Sequence, residues 1–325
     1  MPQVTAAVTG VFVLGVVALS VLRTLFCPRG VPARAAVWAA WAVARPAAVL
    51  ARRVPGDGGR RVMDFAAPLG LCLMVLGWLG GLALGFVLLA LGAAVVEARR
   101  SRLVLRSGWP GSLLAVALVV STVLVLAAFV VYVVWHVAAH ERRERLVTRF
   151  AAHTPDDAEG VLTCCLRDGS RTELDARFAE WAGWMSDVHR SHLCHPGLLY
   201  HRPNGALAWT TAAVVMMDAA ALVDAVAPGW APPHTRVLLD SGAACLQRLA
   251  ALAGVAVPRT RISLQGREEH AFSDSLRVVV GCGMPVEREF DAAWAAFQDN
   301  RVRYAPHSVM LSNRLLLRPE DVVRR

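Results

Sequence analysis

From Ala66 to Val96 the chain runs without one charged side chain, and from Gly111 to Ala139 only His136 is able to carry charge. A helix crosses the hydrocarbon core of a bilayer in about 20 predominantly apolar residues. A buried helix of a soluble protein usually spans about 8 to 20 residues and keeps charges on one face. Both stretches run well past that length and predict transmembrane helices, with residues to spare for tilt. Val4 to Phe26 predicts a third span, whose one charge, Arg23, lies near its end. A cleaved secretory signal would start basic and finish at small residues. Here no Lys or Arg precedes Arg23, and Arg23-Thr24-Leu25-Phe26 is a poor cleavage region, so this segment is expected to remain as a span.

Composition supports the same class. Hydrophobic residues make up 56% of the chain, charged residues 18%, and the mean hydropathy is +0.46. A soluble chain averages about 25% charged residues, which argues against a disordered chain and against a purely soluble one. Seven cysteines in 325 residues are too few, and odd in number, for a disulfide scaffold. All 34 basic residues are Arg, which with 25 acidic ones gives a formal charge of +9. Lys-free, Ala- and Val-rich composition of this kind reads as G+C-rich codon bias, so no nucleic-acid partner is inferred from it.

Arginine placement predicts orientation, because basic residues in short loops mark the inner side. Cys27 to Phe65 holds seven (Arg29, Arg34, Arg45, Arg52, Arg53, Arg60, Arg61), and four follow the third span (Arg142, Arg143, Arg145, Arg149). The opposite side has four, Arg99, Arg100, Arg102 and Arg106. The expected topology is N-terminus outside, C-terminus inside, with Trp109, Tyr132 and Trp135 as interfacial anchors. Residues 31–53, with Trp38, Trp41, Arg34 and Arg45 among Ala and Val, read either as an interfacial amphipathic helix or as a linker. Pro55-Gly56-Asp57-Gly58-Gly59 is expected to break the chain before span two. Within that span Gly77, Gly81 and Gly85 recur every four residues and predict a helix-packing face.

The residues after 140 change character. A membrane domain is expected over 1–140, with spans near 4–26, 66–96 and 111–139, and a mainly helical cytoplasmic domain over 141–325. Ser170-Arg171-Thr172-Glu173 fits a capping box that opens a helix. Leu174, Phe178, Trp181, Met185, Val188 and His192 then follow at helical spacing as one stripe, and His195-Pro196-Gly197 ends it. Ala206 to Ala227 is apolar but carries Asp218 and Asp224, and a central Asp costs about 2.5 to 3.5 kcal/mol on the insertion scale. A buried bundle helix is expected there in place of a fourth span. Leu276 to Val280 is the one strand-like run.

Candidate chemistry is sparse. His189, His192, Cys194, His195 and His201 offer imidazole and thiolate, good ligands for zinc or copper, and His189, His192, Cys194 and His195 are the metal candidates. No four-ligand spacing is present, so structural or surface roles for these histidines are the expected reading, with no cofactor assigned. Nucleophile-elbow, zinc-protease, phosphate-loop and dinucleotide fingerprints are absent from the sequence. No catalytic residue emerges, and an enzyme is not expected.

The span-loop-span-span order, with Ala179-Glu180-Trp181-Ala182, Ser191-His192-Leu193-Cys194-His195-Pro196-Gly197-Leu198-Leu199-Tyr200 and Ala219-Ala220-Ala221-Leu222-Val223, resembles a bacterial family of two-transmembrane potassium-channel-like proteins. The resemblance covers nearly the whole chain. It implies a pore module with a helical cytoplasmic domain, in the bacterial plasma membrane. In that family a pore loop and a filter of Thr-x-Gly-Tyr/Phe-Gly type lie between the last two spans, where carbonyls replace the hydration shell of potassium. Here that interval, Glu97 to Pro110, is short, holds four Arg and contains no filter. Val280-Gly281-Cys282-Gly283 is filter-like in letters only, with no span after it. The expected function is a non-enzymatic membrane protein of channel-like descent, an accessory, sensor or scaffold subunit. Its expected partners are the bilayer and either further copies or another membrane protein. The alternatives are a channel or transporter with a non-standard pore, and a membrane-tethered metal-dependent protein using His189 to His201.

Overall fold

The computed structural model describes residues 2–26, 31–54, 57–100, 109–153, 157–168, 171–202, 207–256 and 267–315. In chain order the helices are α1 (Pro2–Phe26), α2 (Arg34–Arg53), α3 (Asp57–Asp64), α4 (Ala66–Arg100), α5 (Trp109–His153), α6 (Ala158–Asp168) and α7 (Arg171–Cys194). A 3₁₀ turn over Pro196–Tyr200 precedes α8 (Trp209–Val226), α9 (His234–Leu252), α10 (Arg267–Gly281), α11 (Phe290–Arg301) and α12 (Ala305–Leu315). No strand occurs among the described residues. The chain divides into two compact units, one of Met1–Ala138 with Leu193–Tyr200 and one of Ala139–His192 with His201–Arg325.

In the first unit α1, α4 and α5 carry the three apolar stretches, and each is long and apolar enough to cross a membrane. Helix suits such segments in lipid, because it satisfies every backbone N–H and C=O within the segment. At about 1.5 Å per residue the 45 residues of α5 extend about 67 Å, more than twice the hydrocarbon thickness. Its charged residues 140–149 continue the same helix rather than starting a new element.

Helices α1 and α4 pack antiparallel along their lengths, and small residues allow it. Ala7 meets Gly92, Gly10 meets Gly85 and Leu89, Leu14 meets Gly85, and Val17 meets Gly81. A Cβ added to Gly10 would come 2.8 Å from the Gly85 carbonyl oxygen, and one added to Gly85 would come 2.6 Å from Leu14 Cδ2. Trp78 Nε1 donates to Ser20 Oγ across the pair at 3.1 Å, which satisfies the indole inside an apolar contact. The predicted glycine face thus divides: Gly81 and Gly85 lie in the α1 contact, whereas a Cβ at Gly77 would meet nothing within 4 Å. Gly92 and Gly10 extend the contact instead.

Residues 34–53 form a helix, and its inner face, Ala36, Ala39, Ala40, Ala44, Ala48 and Ala51, is buried, with α2 packed on α4. Of the expected break at 55–59, Asp57 to Gly59 are helical as the start of α3, while Pro55 and Gly56 lie outside the described residues. Gly59 sits against the Ala51 carbonyl more closely than any Cβ permits. Tyr132 departs from the expected anchor role: it is 1% exposed, its ring 4.6 Å from that of His195. It lies on the inner face of α5, whereas Trp135 is exposed. Trp109, the arginines at 99, 100, 102 and 106, and Ser170 of the capping box have side chains outside the described residues.

The second unit is built around α8, most of whose residues are buried by α6, α9, α11 and α12. Of its apolar window 78% is buried within the protein, against 17%, 28% and 6% for the windows of α1, α4 and α5. Both aspartates of α8 are paired. Asp218 accepts from Tyr304 Oη at 2.5 Å and Arg301 Nε at 3.1 Å. Asp224 accepts from Arg236 Nε at 3.0 Å and Asn300 Nδ2 at 3.2 Å. Arg288 Nη1 donates to the Asp224 and Ala225 carbonyls and so caps the helix end. Helix α9 is followed by Gly254 at φ +67°, the left-handed stop that a side chain disfavours.

The strand expected over Leu276–Val280 is part of helix α10. Phe272 and Val279 point inward two helical turns apart, with Leu276 half-buried between them, which is helical spacing. Val278 and Val280 are exposed, so their β-branched shape has no sheet to pack in and tertiary contact decides the element. The stripe on α7 is as expected: Leu174, Phe178, Trp181, Met185, Val188 and His192 are all buried.

Gly10→Ala is expected to destabilise the folded protein by about 1 to 3 kcal/mol, since the backbone carbonyl it meets cannot move aside. Gly77→Ala is expected to be neutral or slightly stabilising, because Ala is the better helix former and its methyl has room. Thermal unfolding in detergent, read by circular dichroism, compares the two.

Candidate functional site

The stripe that α5 turns inward carries polar groups. Tyr132, His136, His140, Arg143, Val147 and Phe150 follow at spacings of three and four, and all are buried. Within the second unit the guanidinium of Arg143 is the centre of a dense network. Nε donates to Glu144 Oε1 at 2.8 Å. Nη1 meets His192 Nε2 at 3.2 Å, and Nη2 meets His140 Nδ1 at 3.2 Å. Nη2 also donates to the His201 carbonyl at 3.0 Å. Trp209 lies beneath, its ring centroid 5.5 Å from Cζ, and Trp184 Nε1 donates to the Arg143 carbonyl at 3.2 Å.

These contacts fix proton positions, because a guanidinium has no acceptor. His192 Nδ1 lies 2.8 Å from the Val188 carbonyl, which can only accept, so Nδ1 carries the proton. Its Nε2 therefore presents a lone pair to Arg143. His140 likewise accepts through Nδ1. The His201 ring stacks on His140 at 4.0 Å between centroids and 20° between planes. Burial, then the neighbouring His140 and Arg143, pushes the His201 imidazole from its ordinary 6.5 down to about 4. The arrangement is a buried cation held by the Glu144 carboxylate and by imidazole nitrogens that accept on the sides facing it. Burial of the Arg143–Glu144 pair is nearly complete, with side-chain exposures of 1% and 5%.

The metal candidates do not converge. His192 serves Arg143. His195 belongs to the first unit, where its ring packs against Tyr132 and lies edge-on to His136 at 5.8 Å. Gly197 sits beside this group, and a Cβ there would come 3.3 Å from His136 Cε1. His189 is half-exposed, and Cys194 is half-buried at the end of α7. Among the described residues no group of three or more His, Cys, Asp or Glu is placed to share a metal ion. The filter-like Val280-Gly281-Cys282-Gly283 is the end of α10 and the turn after it, with Gly283 at φ +99°.

Arg143 entered the sequence reading only as a topology marker. The signal that would have found it is the one used for α7: polar residues continuing a buried helical stripe. His140 and Arg143 extend the stripe of Tyr132 and His136 by one turn each. A cleft of about 500 Å³ also opens in this unit, with Phe272 and Phe297 on its floor and Asp157, Glu159, Asp218 and Glu268 on its walls. Several of those carboxylates are engaged internally: Asp218 by Arg301 and Tyr304, Glu159 by Ser275, and Asp157 by the Gly160 amide.

No protein-family model, curated protein or solved structure matches the chain.

Two outcomes follow for the Arg143 network. Arg143→Gln leaves Glu144 buried without its cation, and stability is expected to fall by about 3 to 5 kcal/mol in chemical denaturation. The pH dependence has a defined sign. A histidine whose folded pKa lies below its unfolded one binds more protons when unfolded, so stability is fully present above pH 6.5 and declines toward pH 4. Unfolding midpoints of the wild type are expected to drop across that window, and His201→Phe is expected to flatten the drop.

Proposed function

We propose that this chain is a non-enzymatic integral membrane protein of potassium-channel-like descent that has lost its selectivity filter. It works as an accessory, sensor or scaffold subunit. The observation that carries this reading is the interval between α4 and α5. α4 runs to Arg100 and α5 starts at Trp109, which leaves only residues 101–108 between them. A pore helix followed by a filter needs more chain than that, and the interval contains none of the filter's glycine and aromatic pattern.

In this reading the spans are α1, α4 and the first part of α5, with the N-terminus outside and the second unit in the cytoplasm of a bacterial cell. The arginine asymmetry of the loops supports this orientation. The burial of α8 within its own unit, with both aspartates paired, supports keeping it out of the lipid. The apolar window of α5 is 6% buried, which leaves its outer face to lipid, to another copy of the chain or to another membrane protein. Among the three roles, the Arg143 network favours a sensor. Protonating an imidazole that now accepts from a guanidinium sets two donors and two positive charges against each other, which gives the unit a response to acid.

Liposomes containing the purified full-length chain, loaded with potassium and diluted into sodium, test the reading. No potassium-selective flux is expected. Flux that discriminates potassium from sodium would overturn the loss of the filter and favour a conducting protein with a non-standard pore. Copurification from native membranes is expected to bring down a second membrane protein or further copies of this one.

A further inference from the structure

Helix α2 divides into three sectors when its residues are set about 100° apart around the axis. Ala36, Ala39, Ala40, Ala44, Ala48 and Ala51 fill the buried side, which packs on α4, α3 and the 3₁₀ turn. On the other side Arg34, Arg45 and Arg52 fall within about 20° of one line, because their spacings are close to whole turns. Trp41 borders that line on one flank, with Arg45 stacked over its ring at 4.3 Å. On the other flank are Trp38 and Val49, with exposures of 68% and 52%.

No carboxylate occurs on α2, and between residues 27 and 65 there are seven Arg against two acids, Asp57 and Asp64. Arg34, Arg45, Arg52 and Arg53 are exposed and form no ion pair among the described residues. A helix with an unneutralised arginine line beside uncovered indole and aliphatic groups matches one surface in particular. Its apolar flank fits acyl chains, its indoles fit the headgroup boundary, and its guanidinium forks fit phosphate oxygens. The inner alanine face holds the helix against α4 near Ala66, Ala67 and Gly70, at the start of that span.

We propose that α2 is a binding surface for anionic phospholipids. Arg34, Arg45 and Arg52 engage the headgroup phosphates, and Trp38 and Val49 seat among the first acyl methylenes. The preference for anionic over zwitterionic lipid comes from the uncompensated positive charge, since a phosphate alone is common to both. The inference rests on the membrane placement of α1 and α4, and it is independent of the accessory role.

The test uses the full-length protein in nanodiscs of phosphatidylcholine with a minor fraction of phosphatidylglycerol, with retained lipids counted by native mass spectrometry. Phosphatidylglycerol is expected to be enriched on the wild type. Each basic group near an anionic surface favours it by about fivefold at low salt, so R34Q/R45Q/R52Q is expected to lose up to about a hundredfold of that preference. R34K/R45K/R52K is expected to keep most of it, which separates lost charge from lost folding. Equal retention of phosphatidylglycerol by wild type and the glutamine variant would overturn the proposal. Displacement of the lipid by free glycerol phosphate at similar concentration would also overturn it, by making the site one for soluble phosphate. Release of the wild type from vesicles by an alkaline wash would strike earlier, at the membrane placement itself.

Discussion

A hydrocarbon layer offers a peptide group nothing to hydrogen-bond with, and the long apolar helices of the first unit are suited to that lack. Three long stretches with almost no charge meet that demand as helices, each satisfying its own backbone. Once they are helices, the hydrophobic effect no longer draws them together, since lipid tails are as apolar as leucine. Close packing must do it. The glycines at 10, 81, 85 and 92 let α1 and α4 approach until backbone meets backbone. A polar contact across the pair, Trp78 with Ser20, satisfies an indole enclosed by apolar side chains.

The second unit meets the opposite problem, a permanent charge enclosed by protein. Arg143 cannot shed its proton, so its surroundings must supply acceptors. Glu144, His140, His192 and the His201 carbonyl do so in nearly every direction the guanidinium fork presents. The requirement then passes outward. His192 must protonate Nδ1, which turns it to the Val188 carbonyl and fixes the last turns of α7. His201 is held neutral down to about pH 4 by its burial, then by the neighbouring His140 and Arg143. Two tryptophans close the site, one above the backbone and one beneath the guanidinium. Replacing such a cluster by apolar residues is often no less stable, so its burial is weak evidence for the stability of the unit.

Helices α5 and α8 show how far composition carries. Both qualify by hydropathy as membrane spans. In α8 the aspartates at 218 and 224 mark the difference, because an unpaired carboxylate is costly in lipid and a paired one is acceptable inside protein. Their partners, Arg301, Tyr304, Arg236 and Asn300, come from α9, α11 and the turn before α12, between 12 and 86 residues away in the chain. Arg143 carries the converse lesson. Four arginines after a span read as a solvated inner flank, yet one of the four faces inward, because three residues along a helix separate His140 from Arg143 and place both on the buried side.

The sequence by itself determined the helical class, the three long apolar segments, the α7 stripe through His192 and the change of character near residue 140. Each of these depends on periodicity or on a run of one residue type, which are properties of neighbours in the chain. Tertiary structure decided what depends on distant partners. It chose Gly81 and Gly85 over Gly77 for the α1 contact and made Leu276 to Val280 helical against its β-branched composition. It also sent His192 and His195, close neighbours in the chain, to different networks, the one around Arg143 and the other around Tyr132. Local spacing fixes the face a side chain shares with its neighbours, and only the packed chain fixes what that face meets.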